Sequence, residues 1–260
     1  MASFRTVWTI QKRVIGALML REITTRFGRE NIGFLWIMGE PLLFAVLVGI
    51  MWTYLHGSSE HGVGIMAFVV SGYIPLTLFR HAVSRSTALF VANNSLMYHR
   101  QIGIYDFIFA RFLIEMIGSM MAYLFIAIIL ISLDYFPIPD DIGLLVFGWF
   151  LYSFITLSMC LVIAPLSEMS EVLEKFMPAI TYIMIPFSGT FNMASWLSPS
   201  VREVLLYSPF VTAMELMRAG IFGDKVTPYY NIPVALCVPM IFCLVGFALC
   251  RRIRRHLVVE

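Results

Sequence analysis

The chain has 260 residues, of which 60% are hydrophobic and 13% are charged, and its net charge is +2. Soluble globular domains carry roughly 25% charged residues, so this composition excludes an ordinary soluble enzyme or binding module and indicates that lipid surrounds much of the chain. The four cysteines lie inside apolar runs and match neither a disulfide framework nor a zinc site.

The N-terminal region predicts an amphipathic helix over residues 10–30 that lies in the membrane interface. Ile15, Met19, Ile23 and Phe27 recur at every fourth position and form one apolar stripe, and basic and polar residues fill the other faces. A helix of this kind buries its stripe among acyl chains and turns its basic face to the headgroups. A simple membrane anchor is the plainest alternative. The region before it has no apolar stretch followed by a cleavage site, so we expect no cleaved signal peptide.

Six later segments are apolar enough to cross a bilayer, which takes about 20 residues per helix. They cover residues 37–55, 64–80, 108–133, 142–165, 176–193 and 230–250. Prolines and a glycine in the fifth segment predict a bent helix. Residues 194–229 are too polar to span twice and too apolar for a free loop, so we expect short helices that re-enter the membrane. The chain is thus predicted to be one all-α integral membrane domain over residues 1–260.

The placement of basic residues gives the expected orientation, since cytoplasmic flanks collect lysine and arginine. With the N-terminus inside, the outer segments hold three of the 18 basic residues, namely Arg202, Arg218 and Lys225. An even number of spans returns the C-terminus to the same side. We therefore expect both termini in the cytoplasm and the re-entrant segment on the outer, periplasmic face.

The stretch LREITTRFGRENIGFLWIMGEPLL, residues 20–43, combines paired charges, a glycine-containing turn and a proline before the first span. It resembles the N-terminal signature of the ABC-2 family of ATP-binding-cassette exporters. In that family an L-x-x-R-[DE]-[ILV]-x-x-R-[FY] segment leads into a small-residue turn, L-G-x-L-W and a proline-led span. Ile32 stands where leucine is common. The matching residues are Leu18, two positions before this stretch, and Arg21, Glu22, Ile23, Arg26, Phe27, Gly33, Leu35, Trp36, Pro41 and Leu42 within it.

A second segment, LYSPFVTAMELMRAGIFGD at residues 206–224, is similar to the N-P-[LF]-x-x-x-[VIM]-E-x-x-R motif near the end of these proteins. Ser208 replaces the usual asparagine. The chain length, six predicted spans and cytoplasmic termini fit the same family, and the resemblance is greatest to inner-membrane permease subunits that export capsular polysaccharide. The residues that match the second motif are Pro209, Phe210, Glu215 and Arg218.

The resemblance implies a permease subunit that moves an acidic, lipid-linked capsular polysaccharide across a bacterial inner membrane. The partners it implies are a second copy of the chain, two ATPase subunits, a periplasmic co-polymerase or adaptor and an outer-membrane channel, with no nucleic acid. No G-x-x-x-x-G-K-[ST] phosphate loop occurs in the sequence, so we expect no enzymatic activity and no bound cofactor, and ATP and Mg would bind to the partner. Export of O-antigen, teichoic acid, another lipid or a drug by the same architecture is the alternative.

An ion-coupled carrier or a membrane-embedded glycan enzyme is a third class of function. Such proteins need an intramembrane catalytic or proton-relay constellation. The deep ionisable residues of this chain amount to little beyond Glu40, Arg111 and Glu115, and there is no inverted repeat. The sequence therefore disfavours this class.

Contact with the ATPase is expected at the interfacial helix and at the loop between the second and third spans. Asn93, Asn94 and Ser95 are typical of a helix start, and the resemblance implies that the short helix after them docks on the ATPase. An ordinary loop is the alternative. The candidate coupling residues are Arg21, Glu22, Arg26, Phe27, Asn94, Leu96, Tyr98 and Arg100.

The resemblance places the first and fifth spans at the dimer interface, where a glycan conduit would favour aromatic rings that pack on sugar C–H faces. Lipid-facing or core packing is the alternative for each aromatic residue, and the orientation bias alone accounts for the basic ones. Arg111 and Glu115 stand four residues apart at the start of the third span and are expected to form an intramembrane ion pair. The candidate substrate-path residues are Trp52, Tyr54, Arg80, Arg85, Tyr182, Phe187 and Phe191.

Overall fold

The computed structural model describes residues 4–27, 32–57, 59–60, 62–97 and 102–257, apart from some side chains within these ranges. In this part of the chain α-helices dominate, and a small antiparallel hairpin, β1 (Ser59–Glu60) with β2 (Val63–Gly64), pairs Glu60 with Val63. Short 3-10 turns cover Val91–Asn93, Ile185–Ser188, Ala194–Trp196 and Gly223–Lys225. The α-helices are α1 (Phe4–Phe27), α2 (Ile32–His56), α3 (Ile65–Ser86), α4 (Asn94–Met97), α5 (Ile104–Ser132), α6 (Ile142–Met169), α7 (Glu171–Ile183), α8 (Pro199–Leu205), α9 (Pro209–Phe222) and α10 (Ile232–Leu257).

Local chemistry explains where several of these helices begin. The side chain of Asp141 accepts a hydrogen bond from the backbone N–H of Leu144 at 3.0 Å and caps α6. Ser170 accepts from the N–H of Leu173 at 3.4 Å and caps α7. Such caps satisfy N–H groups that the first helical turn leaves unpaired. Proline in the first turn of α9, at position 209, loses no helical hydrogen bond.

Four helices in the described ranges are long and apolar enough to cross a membrane, namely α3, α5, α6 and α10. A fifth candidate is the pair formed by α8 and α9, which is bent by 107° and has the form of a broken span or a re-entrant loop. The helix α2 contributes a shorter apolar stretch over Gly39–Leu55, and α7 has 13 residues. By length and composition these helices give four or five candidate spans, against the six that the sequence predicts.

The fifth predicted span, residues 176–193, is not one continuous helix. The helix α7 runs through Pro178 but ends at Ile183, and a 3-10 turn follows. Pro186 cannot donate a backbone hydrogen bond, and Gly189 adopts a left-handed backbone conformation with φ of 73°, which favours glycine. These two residues end the helix that the apolar pattern alone would extend to residue 193.

The other boundaries differ by shorter distances. The N-terminal helix begins at Phe4 rather than at residue 10 and covers the described residues up to Phe27, whereas positions 28–30 of the predicted helix lie outside the described part of the structure. The second predicted span continues to Ser86, six residues past its predicted end, and in this extension Ala82, Val83 and Ser86 are buried. The sixth continues to Leu257.

The central helix of the bundle is α6, which packs against α10 and α9 and also contacts α3 and α5. Two glycines allow close crossings. A Cβ atom on Gly246 would lie 2.7 Å from the side chain of Leu161, and one on Gly148 would lie 2.8 Å from the backbone nitrogen of Met217. Small residues at helix crossings are typical of membrane bundles, where close backbone packing replaces the hydrophobic effect as the force between helices.

Large apolar side chains remain exposed along α2, α7 and α10. Exposed apolar area of this extent on a soluble protein would cause aggregation, but in a membrane it faces lipid or another subunit. On α2 and α7 the exposed side chains are Leu43, Phe44, Leu47, Ile50, Met51, Tyr54, Leu55, Val172, Phe176, Ile180, Tyr182 and Ile183.

Candidate functional site

Polar side chains of α1 bind to residues on two other segments. The guanidinium of Arg21 donates to the side-chain oxygen of Asn93 at 2.8 Å. Glu22 lies 3.1 Å from Arg111 of α5. The amide of Gln11 donates to Asp106, which caps the start of α5. These contacts fix α1 to the span that begins at Ile104 and to the 3-10 turn before α4.

The carboxylate of Glu115 on α5 is the centre of a network of two arginine ion pairs and two histidine contacts. We call it the Glu115 cluster, comprising Glu115, Arg26, Arg85, His81 and Glu40. Glu115 is 1% exposed, and its oxygens lie 2.6 Å from Arg26 and 3.2 Å from Arg85. His81 lies 3.8 Å from Glu115 and 3.4 Å from Glu40. A buried carboxylate requires such compensation, because an unpaired buried charge is strongly destabilising. The cluster joins α1, α2, α3 and α5.

The predicted ion pair between Arg111 and Glu115 is not formed, and each residue has other partners. Arg111 reaches Glu22 and also donates to the backbone carbonyl of Arg85 at 2.6 Å. Glu115 is occupied by Arg26 and Arg85. The i,i+4 spacing places the two side chains on one helix face, but α1 and α3 lie against that face and provide closer partners. Glu40 of α2 lies 3.4 Å from the ring nitrogen of His81.

The remaining candidate coupling residues do not belong to the Glu115 cluster. Asn94 is exposed at the start of α4, and Leu96 is partly buried. The side chain of Phe27 and the residues Tyr98 and Arg100 lie outside the described part of the structure. Their roles stay predictions.

Sequence reasoning did not single out His81 as a member of the Glu115 cluster or Asn93 as the partner of Arg21. Asn93 is buried, and its amide donates to the carbonyl of Leu89 at 2.8 Å while its oxygen accepts from Arg21. His81 stands four residues before Arg85 on α3, and that spacing was a usable signal that both face the same neighbours.

The candidate substrate-path residues form two contacts rather than one continuous group. Trp52 of α2 stacks on Phe191, with ring centroids 5.5 Å apart and planes 12° apart. Arg80 of α3 lies over the ring of Tyr182 on α7, 4.2 Å from its centroid. Tyr54 and Phe187, which complete the predicted set of aromatic residues, are exposed. Arg85 is separate from these contacts because it belongs to the Glu115 cluster.

Arg218 and Glu215, from the second sequence motif, hold the loop that contains Phe191. Arg218 is 1% exposed and donates to the carbonyls of Gly189 at 2.7 Å, Asn192 at 3.1 Å and Thr190. Its guanidinium lies 4.0 Å from the ring centroid of Phe68. We call this arrangement the Arg218 clamp.

Glu215 and Gly72 complete the surroundings of the clamp. Glu215 accepts hydrogen bonds from the N–H groups of Ala194 at 3.1 Å and Tyr229 at 3.3 Å, so it joins the segments before and after α9. A Cβ atom on Gly72 would lie 2.5 Å from the carbonyl oxygen of Thr190, so α3 can approach the loop only because this residue is glycine. Within the described residues no group of three histidine, cysteine, aspartate or glutamate side chains is arranged to hold a metal ion.

Comparison with known proteins covers the part of the chain that contains both groups. The sequence model of the family described as "ABC-2 type transporter" matches residues 13–222, which include the Glu115 cluster and the Arg218 clamp. The chain is similar to three proteins named for polysaccharide export or transport. The capsule polysaccharide export inner-membrane protein CtrC of Neisseria meningitidis serogroup B is 36% identical over 247 residues, which cover 95% of this chain and 93% of that protein.

The capsule polysaccharide export inner-membrane protein BexB of Haemophilus influenzae is 32% identical over 247 residues, again 95% of this chain and 93% of the relative. The polysialic acid transport protein KpsM of Escherichia coli is 25% identical over 249 residues, covering 95% and 96% of the two chains. The similarity therefore extends over nearly the whole of each protein and is not confined to one motif.

Proposed function

Because the chain belongs to the ABC-2 type transporter family, we propose that it is the permease subunit of an ATP-binding-cassette exporter that moves capsular polysaccharide across a bacterial inner membrane. The names of relatives that are about one-third identical over 95% of the chain support this cargo. The structural observation that carries the proposal is the Glu115 cluster, because it joins the amphipathic helix α1 to three other helices.

In this proposal a separate ATPase supplies the energy and binds ATP and Mg, and this chain binds no cofactor. The ATPase would contact α1 and α4, and its movement would pass from Arg26 through Glu115 and His81 to Glu40 on α2. Charge-assisted contacts suit this role, since they are strong and directional in a low-dielectric environment. The partly exposed pair between Glu22 and Arg111 would reinforce the same connection.

The proposed conduit lies between two copies of the chain. Paired ATPases act productively only on paired membrane subunits, which favours a symmetric homodimer. The exposed apolar faces of α2 and α7 supply surfaces for that contact, and the aromatic residues near them supply rings for sugar C–H faces. Trp52 and Phe191, and also Arg80 and Tyr182, would then line the polysaccharide's path.

The proposed topology has six spans and cytoplasmic termini, with residues 194–229 entering the membrane from the periplasmic face. The 107° bend between α8 and α9 supports a re-entrant segment. A periplasmic co-polymerase and an outer-membrane channel would continue the path, and the chain would bind no nucleic acid. The α1 face with the Glu115 cluster would lie toward the cytoplasm, where the ATPase is.

A deletion strain complemented with the wild-type gene or with Glu115→Gln tests this function. We expect the deletion to leave polysaccharide inside the cell and the wild-type gene to restore it to the surface, as measured by surface immunofluorescence before and after permeabilisation. Purification from native membranes should recover the chain with an ATPase subunit. Transport by the isolated chain in liposomes, driven by an ion gradient without ATP, would contradict the proposal.

A further inference from the structure

Arg80 differs from the other arginines near the Glu115 cluster in having no carboxylate partner within the described residues. Arg26, Arg85 and Arg111 each lie within 3.2 Å of a carboxylate oxygen. Arg218, deeper in the bundle, is compensated by three backbone carbonyls. Arg80 stands over the ring of Tyr182, and its Nε atom is buried without a hydrogen-bond partner.

The position of Arg80 within a membrane helix makes its lack of a carboxylate partner among the described residues informative. It lies in the last two turns of α3, one of the apolar helices long enough to cross a membrane. Charged residues inside membrane helices are costly, and they usually pair or line the path of a substrate. Of the two carboxylates in the network, Glu115 is already paired with Arg26 and Arg85, and Glu40 contacts His81 rather than Arg80.

Tyr182 fixes the direction in which Arg80 can act. A guanidinium held over an aromatic face keeps its planar donors free at the edge, and the contact itself is favourable. Tyr182 is 57% exposed and Arg80 is partly exposed, so the pair borders the surface of α7. That surface is the one assigned above to the conduit.

We propose that Arg80 recognises the anionic groups of the transported polymer, and that Tyr182 is the positioning residue that holds its guanidinium. The inference rests on the proposed function and specifies the chemistry of its substrate. The group recognised is an anionic oxygen, either a carboxylate of an acidic sugar or a phosphodiester that joins the glycan to lipid. The structure separates Arg80 from Arg85, which the sequence placed in the same role, because Glu115 neutralises Arg85.

Arginine suits this task better than lysine. Its planar fork donates two parallel hydrogen bonds to a carboxylate or a phosphate, whereas an ammonium acts as a point charge. Replacing Arg80 with lysine should therefore weaken recognition less than replacing it with glutamine, although both variants keep a polar side chain at this position.

The test uses the permease purified with its ATPase subunit in phosphatidylcholine nanodiscs. ATP hydrolysis is measured against the concentration of a carboxylated probe, oligosialic acid, and of a neutral dextran oligomer of equal length. For Arg80→Gln we expect the half-maximal concentration of oligosialic acid to rise about tenfold, as loss of a charge-assisted contact predicts, with a smaller change in the maximal rate. Arg80→Lys should raise it about threefold.

Two further comparisons define the contact. Arg202→Gln is the matched control, because Arg202 also lies over a tyrosine ring, that of Tyr229 at 4.1 Å, but on another part of the molecule. It should leave the half-maximal concentration unchanged. Tyr182→Phe keeps the aromatic face and should resemble the wild type, whereas Tyr182→Leu should shift the concentration in the direction of Arg80→Gln.

Lipid composition distinguishes the two sources of anionic oxygen. If Arg80 binds a lipid phosphodiester, adding phosphatidylglycerol to the nanodiscs should stimulate hydrolysis by the wild type and not by Arg80→Gln, while oligosialic acid affects both proteins equally. If it binds sugar carboxylates, the variant should differ from the wild type with oligosialic acid and not with phosphatidylglycerol. Either result supports anion recognition and assigns its source.

Equal responses of Arg80→Gln and the wild type to both anionic probes would overturn the inference. So would a fall in maximal rate without a change in half-maximal concentration, which would make Arg80 a coupling residue. If Arg80→Gln does not assemble, unchanged half-maximal concentrations in Arg80→Lys and Tyr182→Leu have the same meaning. A wild-type complex that responds to none of the anionic probes also overturns the inference. Recovery of the wild-type chain from native membranes without an ATPase subunit contradicts the proposed function itself, which separates that failure from failure of the inference.

Discussion

The two ends of α3 bury charge in different ways. Near its C-terminal end, the carboxylate of Glu115 is shared by basic side chains from α1 and α3. Near its N-terminal end, beside Gly72, Arg218 is saturated by carbonyls from a single loop. Gly72 and His81 are about 14 Å apart along the helix axis, at a rise of 1.5 Å per residue.

This difference indicates different mechanical roles. In the Glu115 cluster every contact joins side chains on separate helices, and long side chains can maintain or exchange partners when the helices shift. In the Arg218 clamp the acceptors are backbone carbonyls close together in sequence, so one geometry satisfies all of them. We infer that the Glu115 cluster transmits movement and that the Arg218 clamp fixes the loop containing Phe191.

The largest expected effect comes from Arg218→Met, which removes the clamp's donors while keeping an apolar side chain. The carbonyls of Gly189, Thr190 and Asn192 would stay buried without donors, at about 1–3 kcal/mol for each unsatisfied group. We expect at least about a tenfold loss of folded protein in mild detergent, measured by fluorescence-detected size exclusion. Arg202→Met is the control, and normal yield of Arg218→Met would show that the clamp does not fix the fold.

Glu115→Gln should separate transport from folding. The change preserves shape but leaves the guanidinium groups of Arg26 and Arg85 without a carboxylate, and both of these groups are partly exposed and can be hydrated. We expect surface polysaccharide to fall about tenfold or more, with a smaller loss of folded protein than Arg218→Met causes.

Surface polysaccharide and the amount of folded protein should be measured in the same cells. Glu203→Gln, an exposed glutamate of α8, is the matched control and should retain normal export. If Glu115→Gln exports normally, or if export and folded protein fall in equal proportion, the cluster does not have the transmitting role that distinguishes it from the clamp.

Composition and helical periodicity were sufficient to predict an all-helical membrane protein, since apolar runs and an amphipathic stripe are local properties of the sequence. The predicted segments at residues 10–30 and 230–250 overlap the observed helices α1 and α10. The family was also readable, because residues 20–43 and 206–224 carry its two motifs. The sequence predicted that the helix over residues 176–193 is bent, but not that it ends at Ile183. Pro178 is tolerated within α7, whereas Pro186 and Gly189 end the helix.

The partners of the charged residues could not be predicted from the sequence. The spacing of Arg111 and Glu115 shows that they share a face of α5, but not that α1 places Glu22 and Arg26 closer. Competition between helices is a tertiary property that i,i+4 arguments omit. The same limit applies to Arg80 and Arg85, for which the sequence predicted one role. They differ in their partners, since Arg80 lies over the ring of Tyr182 and Arg85 is paired with Glu115.

A charge exchange between Glu22 and Arg111 tests whether this ion pair reinforces the connection that the Glu115 cluster makes between α1 and α5. These side chains are 25% and 16% exposed, so solvent screens the pair and its contribution should be about 1 kcal/mol. Glu22→Arg and Arg111→Glu should each reduce surface polysaccharide about fivefold, and the double variant should recover part of the loss. Glu203→Arg controls for a change in net charge. A double variant no better than the worse single variant would remove this pair from the connection.

The smallest effect concerns the stack of Trp52 on Phe191, which joins the clamped loop to α2. In a double-mutant cycle with Trp52→Leu and Phe191→Leu, the coupling free energy should be about 0.5–1.5 kcal/mol, measured by thermal unfolding in detergent. The matched pair is Tyr105 with Phe247, an edge-to-face contact at 5.2 Å between α5 and α10. Both pairs should contribute similarly to stability, but only the first should alter polysaccharide export, because only it borders the proposed conduit. Equal effects of both pairs on export would mean that the clamp fixes a purely structural loop, and the functional contrast between the two ends of α3 would then lie in the Glu115 cluster alone.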